Sequence, residues 1–219
     1  MLTLKYMLWD YIANRQRPKW RGRLHALGVA VSIPAGAQLA LAAKGATAVA
    51  SSLAFSISMT LVFAVSSVYH MFSKSRSSQL VWRRIDHAAI YLLIAGTLTP
   101  LLVLTLDSAL AWVMLCMVWI AALAGVVLKL AARADKLAKR LYMIIGWSAV
   151  LVPVVWRDAN GYALILFATG GVIYTVAAIA FARNWPRLRP AVFGYHEVFH
   201  SATLVAGSLH YLAVASLVS

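Results

Sequence analysis

Residues 46–72 read ATAVASSLAFSISMTLVFAVSSVYHMF, 27 positions without a lysine, arginine, aspartate or glutamate, closed by a single histidine at His70. A hydrocarbon core of about 30 Å needs roughly 20 apolar residues in helical form, so this stretch spans a membrane with turns to spare. Outward from it, six more stretches fit the same template: 24–43, 85–105, 109–131, 139–157, 162–183 and 193–217. They leave short loops. The whole chain of 219 residues is 63% hydrophobic and 12% charged, with a mean hydropathy of +0.80, against about half apolar and a quarter charged in soluble domains. In lipid the backbone must satisfy its own hydrogen bonds, so the expected fold is an all-α integral membrane protein, a bundle of seven transmembrane helices.

Lysine and arginine give the expected orientation. The amino-terminal tail holds six; loop 72–84 holds Lys74, Arg76, Arg83 and Arg84; the 131–139 loop and its flanks hold Lys129, Arg133, Lys136, Lys139 and Arg140; and Arg183, Arg187 and Arg189 follow the sixth span. Only Lys44 and Arg157 fall on the other side, and eighteen against two places the amino terminus in the cytoplasm and the carboxyl terminus outside. The net charge of +14 then serves topology and anionic lipid head groups, with no nucleic acid as partner. Residues 1–23 form a basic interfacial tail, in which Leu2, Leu4, Leu8, Trp9 and Ile12 suit a short helix lying on the membrane, or a solvated tail; residues 24–219 form the membrane domain. Asp10 interrupts any signal-peptide core, and no cleaved leader is expected. Trp20, Trp82, Trp156 and Trp185 fall at span ends as interface anchors, and Pro34 and Pro153 lie inside spans where they kink helices. The lone Cys116 forms no intrachain disulfide.

Few ionisable residues enter the spans, and four of them share one predicted depth near the cytoplasmic face: His70, Asp86, His196 and His200. Charged or titratable groups in lipid are costly and pair or serve function. His196 and His200 are four apart, on one helix face, and Ser66 and His70 repeat that spacing on the second helix. Three imidazoles with a fourth position left to water match a catalytic zinc, and zinc lowers the pKa of such a water to about 7. Asp86 then suits proton transfer and Ser66 a hydrogen bond to substrate. His210 lies ten positions past His200, about 15 Å along the axis, and should instead bond a neighbouring helix. His25 lies at a basic interface, and Gly96, Gly170, Gly171 and Gly207 read as close-packing points between helices.

Three stretches, Ser66-Ser67-Val68-Tyr69-His70, the run from Asp86-His87-Ala88-Ala89-Ile90-Tyr91 through Gly96-Thr97, and His196-Glu197-Val198-Phe199-His200, resemble the motifs of the hemolysin III and progestin/adiponectin receptor family. The resemblance implies a seven-helix bundle with zinc near the cytoplasmic face, His70, His196 and His200 as ligands, and Asp86 and Ser66 as their partners. It extends to alkaline ceramidases, which implies hydrolysis of a lipid amide or ester in a bacterial inner membrane. Two other readings accompany it: a membrane-homeostasis sensor with a structural zinc, and a pore-forming hemolysin. The long amino-terminal domain of the animal receptors has no counterpart, so hormone binding is not implied.

HEVFH at 196–200 also fits the HExxH pattern of zinc proteases, with Glu197 as base. Glu197 lies off the ligand face, however, and Asp86 is followed by His87 rather than by the glycine an intramembrane protease needs. A retinal protein would need a lysine in the last helix, and none occurs from 193 to 219; a G-protein-coupled receptor would have the opposite orientation.

Overall fold

The computed structural model describes residues 18–106, 108–131, 135–148, 155, 160–189 and 191–218. Among them are seven helices: α1 (Arg23–Ala42), α2 (Ala46–Phe72), α3 (Arg76–Val103), α4 (Ala109–Leu130), α5 (Asp135–Ser148), α6 (Gly161–Ala182) and α7 (Tyr195–Val218). Six of these, all but α5, are long and apolar enough to cross a membrane. The architecture is an integral-membrane helical bundle. For α1, α2, α4, α6 and α7 the sequence-derived bounds agree with the helices to within two residues. The fifth expected span covers 139–157; its described part is α5 and Val155, and the rest, with Pro153, Trp156 and Arg157, lies outside the described residues, as does the expected interfacial helix at 1–17.

Two helices start earlier than expected, α5 at Asp135 rather than at 139 and, by more, α3 at Arg76 rather than at 85. The stretch 72–84 was expected as a loop, but α3 starts at Arg76, so Trp82, Arg83 and Arg84 are helical. Ser75 is its N-cap and accepts a hydrogen bond from the Ser78 backbone at 3.2 Å, which starts the helix in polar sequence. Hydropathy reports the thickness of the apolar layer, whereas a capped helix continues beyond it.

Consecutive helices pack as neighbours, and α7 closes the bundle against α1, α2, α3 and α6. The interior elements are α2 and α3, whose apolar windows are 56% and 67% buried, against 22% for α1 and α6. Glycines permit the closest approaches. A Cβ at Gly96 would fall 2.1 Å from Ser58 Oγ on α2, one at Gly125 would fall 2.2 Å from the Tyr91 ring on α3, and one at Gly170 would fall 2.4 Å from His210 Nε2. Gly207 and Gly171 are looser, at 3.1 Å from Met59 and 3.5 Å from Trp147. Gly125 joins the expected set because Tyr91, fully buried, needs its space.

Interior hydroxyls return to the backbone or bridge helices, as they must where no water competes. Thr99 donates to the Ala95 carbonyl at 2.7 Å while accepting from Trp119 Nε1 at 3.2 Å, and Tyr142 donates to the His87 carbonyl at 2.8 Å. His210 Nε2 meets the Phe167 carbonyl of α6 at 3.2 Å, the inter-helix bond expected of it. Exposed side chains such as Ile57, Ile120 and Val176 present a lipid-facing exterior, and Cys116 is exposed among them.

Candidate metal centre

Three helix ends meet at one end of the bundle. His70 lies in the last turn of α2, His196 in the first turn of α7 and His200 one turn on, and the α1 terminus seats beside them. His70 and His200 are buried and His196 is half-buried. One ligand nitrogen from each of the three lies within 4.8 Å of the others. His196 Nε2 and His70 Nε2 stand 3.1 Å apart, and the ring centroids of the three pairs are 4.6, 4.6 and 5.0 Å apart. Two imidazole lone pairs at 3.1 Å need a proton or a cation between them. Two nitrogens on one tetrahedral zinc at about 2.0–2.1 Å would sit about 3.3 Å apart, so the cluster fits such an ion.

Ser66, buried one turn before His70, donates a hydrogen bond to the Asp86 carboxylate of α3. The two expected partners are therefore joined, on the helix face that continues to a ligand histidine. The Phe181 ring of α6 stands edge-on to His196 at 5.0 Å, and Tyr69 packs against His70 at 4.4 Å. These rings wall the cluster.

The chain is similar to known proteins over most of its length. A family model described as "Haemolysin-III related" matches residues 13–211. The chain belongs to the haemolysin-III family. It is 32% identical over 196 residues to "Hemolysin-3" of Bacillus cereus, covering 87% of this chain and 86% of that protein. It is 31% identical over 152 residues to "Hemolysin-3 homolog" of Bacillus subtilis (strain 168), covering 68% of each. Family membership and the six apolar helices make it a multi-pass integral membrane protein.

Three residues of this haemolysin-III bundle that the sequence reading left aside complete the site. Glu197 is 1% exposed and uses both carboxylate oxygens: Oε1 pairs with Arg21 Nε, and Oε2 accepts the Gly194 N–H at 2.7 Å. The second contact is half of a capping box, in which the third residue of a helix satisfies the backbone N–H of its cap. Glu197 is thus committed to the head of α7 and to the segment that carries Arg21, which disfavours its use as a protease base. Its partner Arg21 belongs to a strap, Pro18–Gly22, whose Lys19 and Trp20 N–H groups meet the Ala191 and Val192 carbonyls at 3.3 and 3.4 Å, and whose Gly22 carbonyl accepts from Ser67 at 3.2 Å. Gly22 has φ +80°, and a Cβ there would fall 2.9 Å from His70 Cβ. Only glycine turns the chain so closely over His70.

The third is His25. Expected only as a residue at a basic interface, it is 3% exposed and stacked on His200, centroids 3.9 Å apart and planes 5° from parallel. Its Nε2 lies 2.9 Å from Thr203 Oγ1, and Thr203 donates its own proton to the His200 carbonyl at 2.8 Å. Thr203 therefore accepts from His25, which fixes the His25 tautomer and with it the plane against which His200 rests. A histidine in the first turn of the first span begins at the same bundle end as the ligands, and that was the signal to read. Groups that orient a metal-binding histidine are worth about 10- to 100-fold in affinity. His25→Ala should accordingly weaken zinc binding about tenfold in competition with a chromophoric chelator, with His25→Phe between it and wild type; equal affinity in all three would reduce the stack to packing.

Proposed function

We propose that this haemolysin-III family protein is a zinc-dependent hydrolase of lipid amides or esters, crossing a bacterial inner membrane seven times with its amino terminus and metal centre on the cytoplasmic side. The observation that carries the reading is the convergence of His70, His196 and His200 in one buried cluster, with the Asp86–Ser66 pair one helical turn along α2. The basic residues Lys74, Arg76, Arg183 and Arg187 flank the same helix ends, which supports the orientation.

Zinc held by the three histidines would supply Lewis acidity toward a carbonyl oxygen and toward water. The chain's own groups do the rest. Asp86 takes up a proton from the attacking water at its carboxylate and returns it to the leaving nitrogen or oxygen. Ser66 holds that carboxylate in place, and Phe181 and Tyr69 keep bulk water from the histidines.

A positioned general base contributes roughly 10²- to 10⁴-fold, so Asp86→Ala should retain its zinc while ceramide or phospholipid hydrolysis falls at least about 100-fold. Retained zinc with no lipid hydrolysis by the wild type would instead favour a sensor in which the ion staples α2 to α7. The names of the Bacillus relatives favour a cytolytic reading, for which dye release from liposomes by the metal-free protein is the test.

A further inference from the structure

Beside the histidine cluster, on its outer side, lies a cavity of about 280 Å³ lined by Pro18, Lys19, Arg21, Arg23, His70 and Met71. Three cations and one histidine of the cluster surround a single space. Among the described residues the one carboxylate paired with these cations is Glu197, which lies beneath Arg21 and is itself buried. Two positive charges remain in excess. A phosphate fits such a space and such a charge.

One of the three cations, Arg21, is also held in advance. Glu197 takes the Nε of Arg21, and the four N–H donors on the two terminal nitrogens of a guanidinium remain for a second acceptor. Lys19 is anchored through its backbone to Ala191, and Arg23 opens α1. Arg21 therefore loses little side-chain freedom when an anion enters, and such ordering is one of the costs of binding through long side chains. Trp20, Met71 and Phe72, exposed around this end of the bundle at 41%, 37% and 67%, place the opening at the depth where indole and acyl chain meet head groups.

We propose that this cavity is a seat for the phosphate of an anionic lipid head group, so that the lipid's first acyl linkage is presented toward the histidine cluster that shares His70 with it. The seat names the substrate class of the proposed hydrolase, and to that extent rests on it: a phosphate-bearing lipid rather than a neutral one. Binding of the phosphate needs no metal.

The test is calorimetric titration of the full chain in uncharged detergent with dioctanoyl phosphatidic acid, dioctanoyl phosphatidylcholine and inorganic phosphate. Hydrogen bonds to a charged acceptor are each worth about tenfold or more, so phosphatidic acid should bind at least about tenfold more tightly than phosphatidylcholine. Lys19→Gln/Arg23→Gln, both exposed, should remove that preference. Arg76→Gln/Arg187→Gln, equal in charge and at the same bundle end but outside the cavity, should leave it intact. Equal losses in the two double variants would mean a diffuse surface potential and overturn the seat. Inorganic phosphate binding as tightly as phosphatidic acid would overturn the lipid source. His196→Ala separates the two readings: phosphatidic acid retained there while wild type hydrolyses no lipid sinks the hydrolase alone, and hydrolysis without the anionic preference sinks the seat alone.

Discussion

Glu197→Ala is expected to lower the melting temperature of the purified protein by roughly 6–12 °C. Removing one partner of a buried ion pair costs about 3 kcal/mol or more, and a chain of 150–250 residues loses about 2–4 °C per kcal/mol. The loss has two parts. Arg21, 23% exposed, keeps partial access to water and recovers some solvation, whereas the Gly194 N–H loses the carboxylate that accepts from it at the head of α7. Glu197→Gln retains an acceptor for Gly194 and should give up about half as much. In a double-mutant cycle with Arg21→Gln, the pair should show a coupling that neither single change predicts. The opposite pattern, unchanged melting with collapsed activity, would make Glu197 a chemical base and revive the HExxH reading.

The second large effect concerns metal content. Wild-type protein purified in detergent should carry about one zinc per chain, and His70→Ala, His196→Ala and His200→Ala should each carry less than about a tenth of that, since even groups that only orient a ligand are worth 10- to 100-fold. Elemental mass spectrometry reads this directly. A ligand that binds only the folded state at about 1,000 times its dissociation constant stabilises by about 4 kcal/mol. A strong chelator should therefore lower the melting temperature of wild type by several degrees and leave that of His200→Ala unmoved. A folded wild type without metal would end the hydrolase reading at once.

The helices were legible because membrane insertion writes itself into composition. α2 and α4 are long runs with almost no charge, and nothing about tertiary packing is needed to find them. The opening turns of α3 were not, because Arg76, Gln79, Arg83 and Arg84 carry the polar signature of a loop while Ser75 caps a helix. The three histidines were legible as a set, since charge asymmetry gives each its depth and spacing gives each its face. Whether they touch is a matter of how α2 and α7 rotate about their axes, which no one-dimensional pattern contains. His25 and Arg21 show the same limit more sharply. Their partners, Thr203 and Glu197, lie 178 and 176 positions away, and a basic, turn-rich entry sequence reads as exposed until the closing helix is set against it. Phe181 looked like one aromatic among many because packing against His196 leaves no trace in the period of α6.

The span of those pairings carries a consequence for biosynthesis. His70 enters the membrane 126 residues before His196 is made, and Arg21 leaves the ribosome 176 residues ahead of Glu197. At about 5–20 residues per second of translation, His70 waits roughly 6–25 s and Arg21 roughly 9–35 s before the partner residue is made. Chains released prematurely, before codon 196, cannot assemble the cluster at all. Assembly of the histidine cluster thus becomes the closing act of translation, and a cell that inspects nascent membrane proteins for unmatched polar groups would have, in this bundle, a mark that disappears only when the final helix arrives.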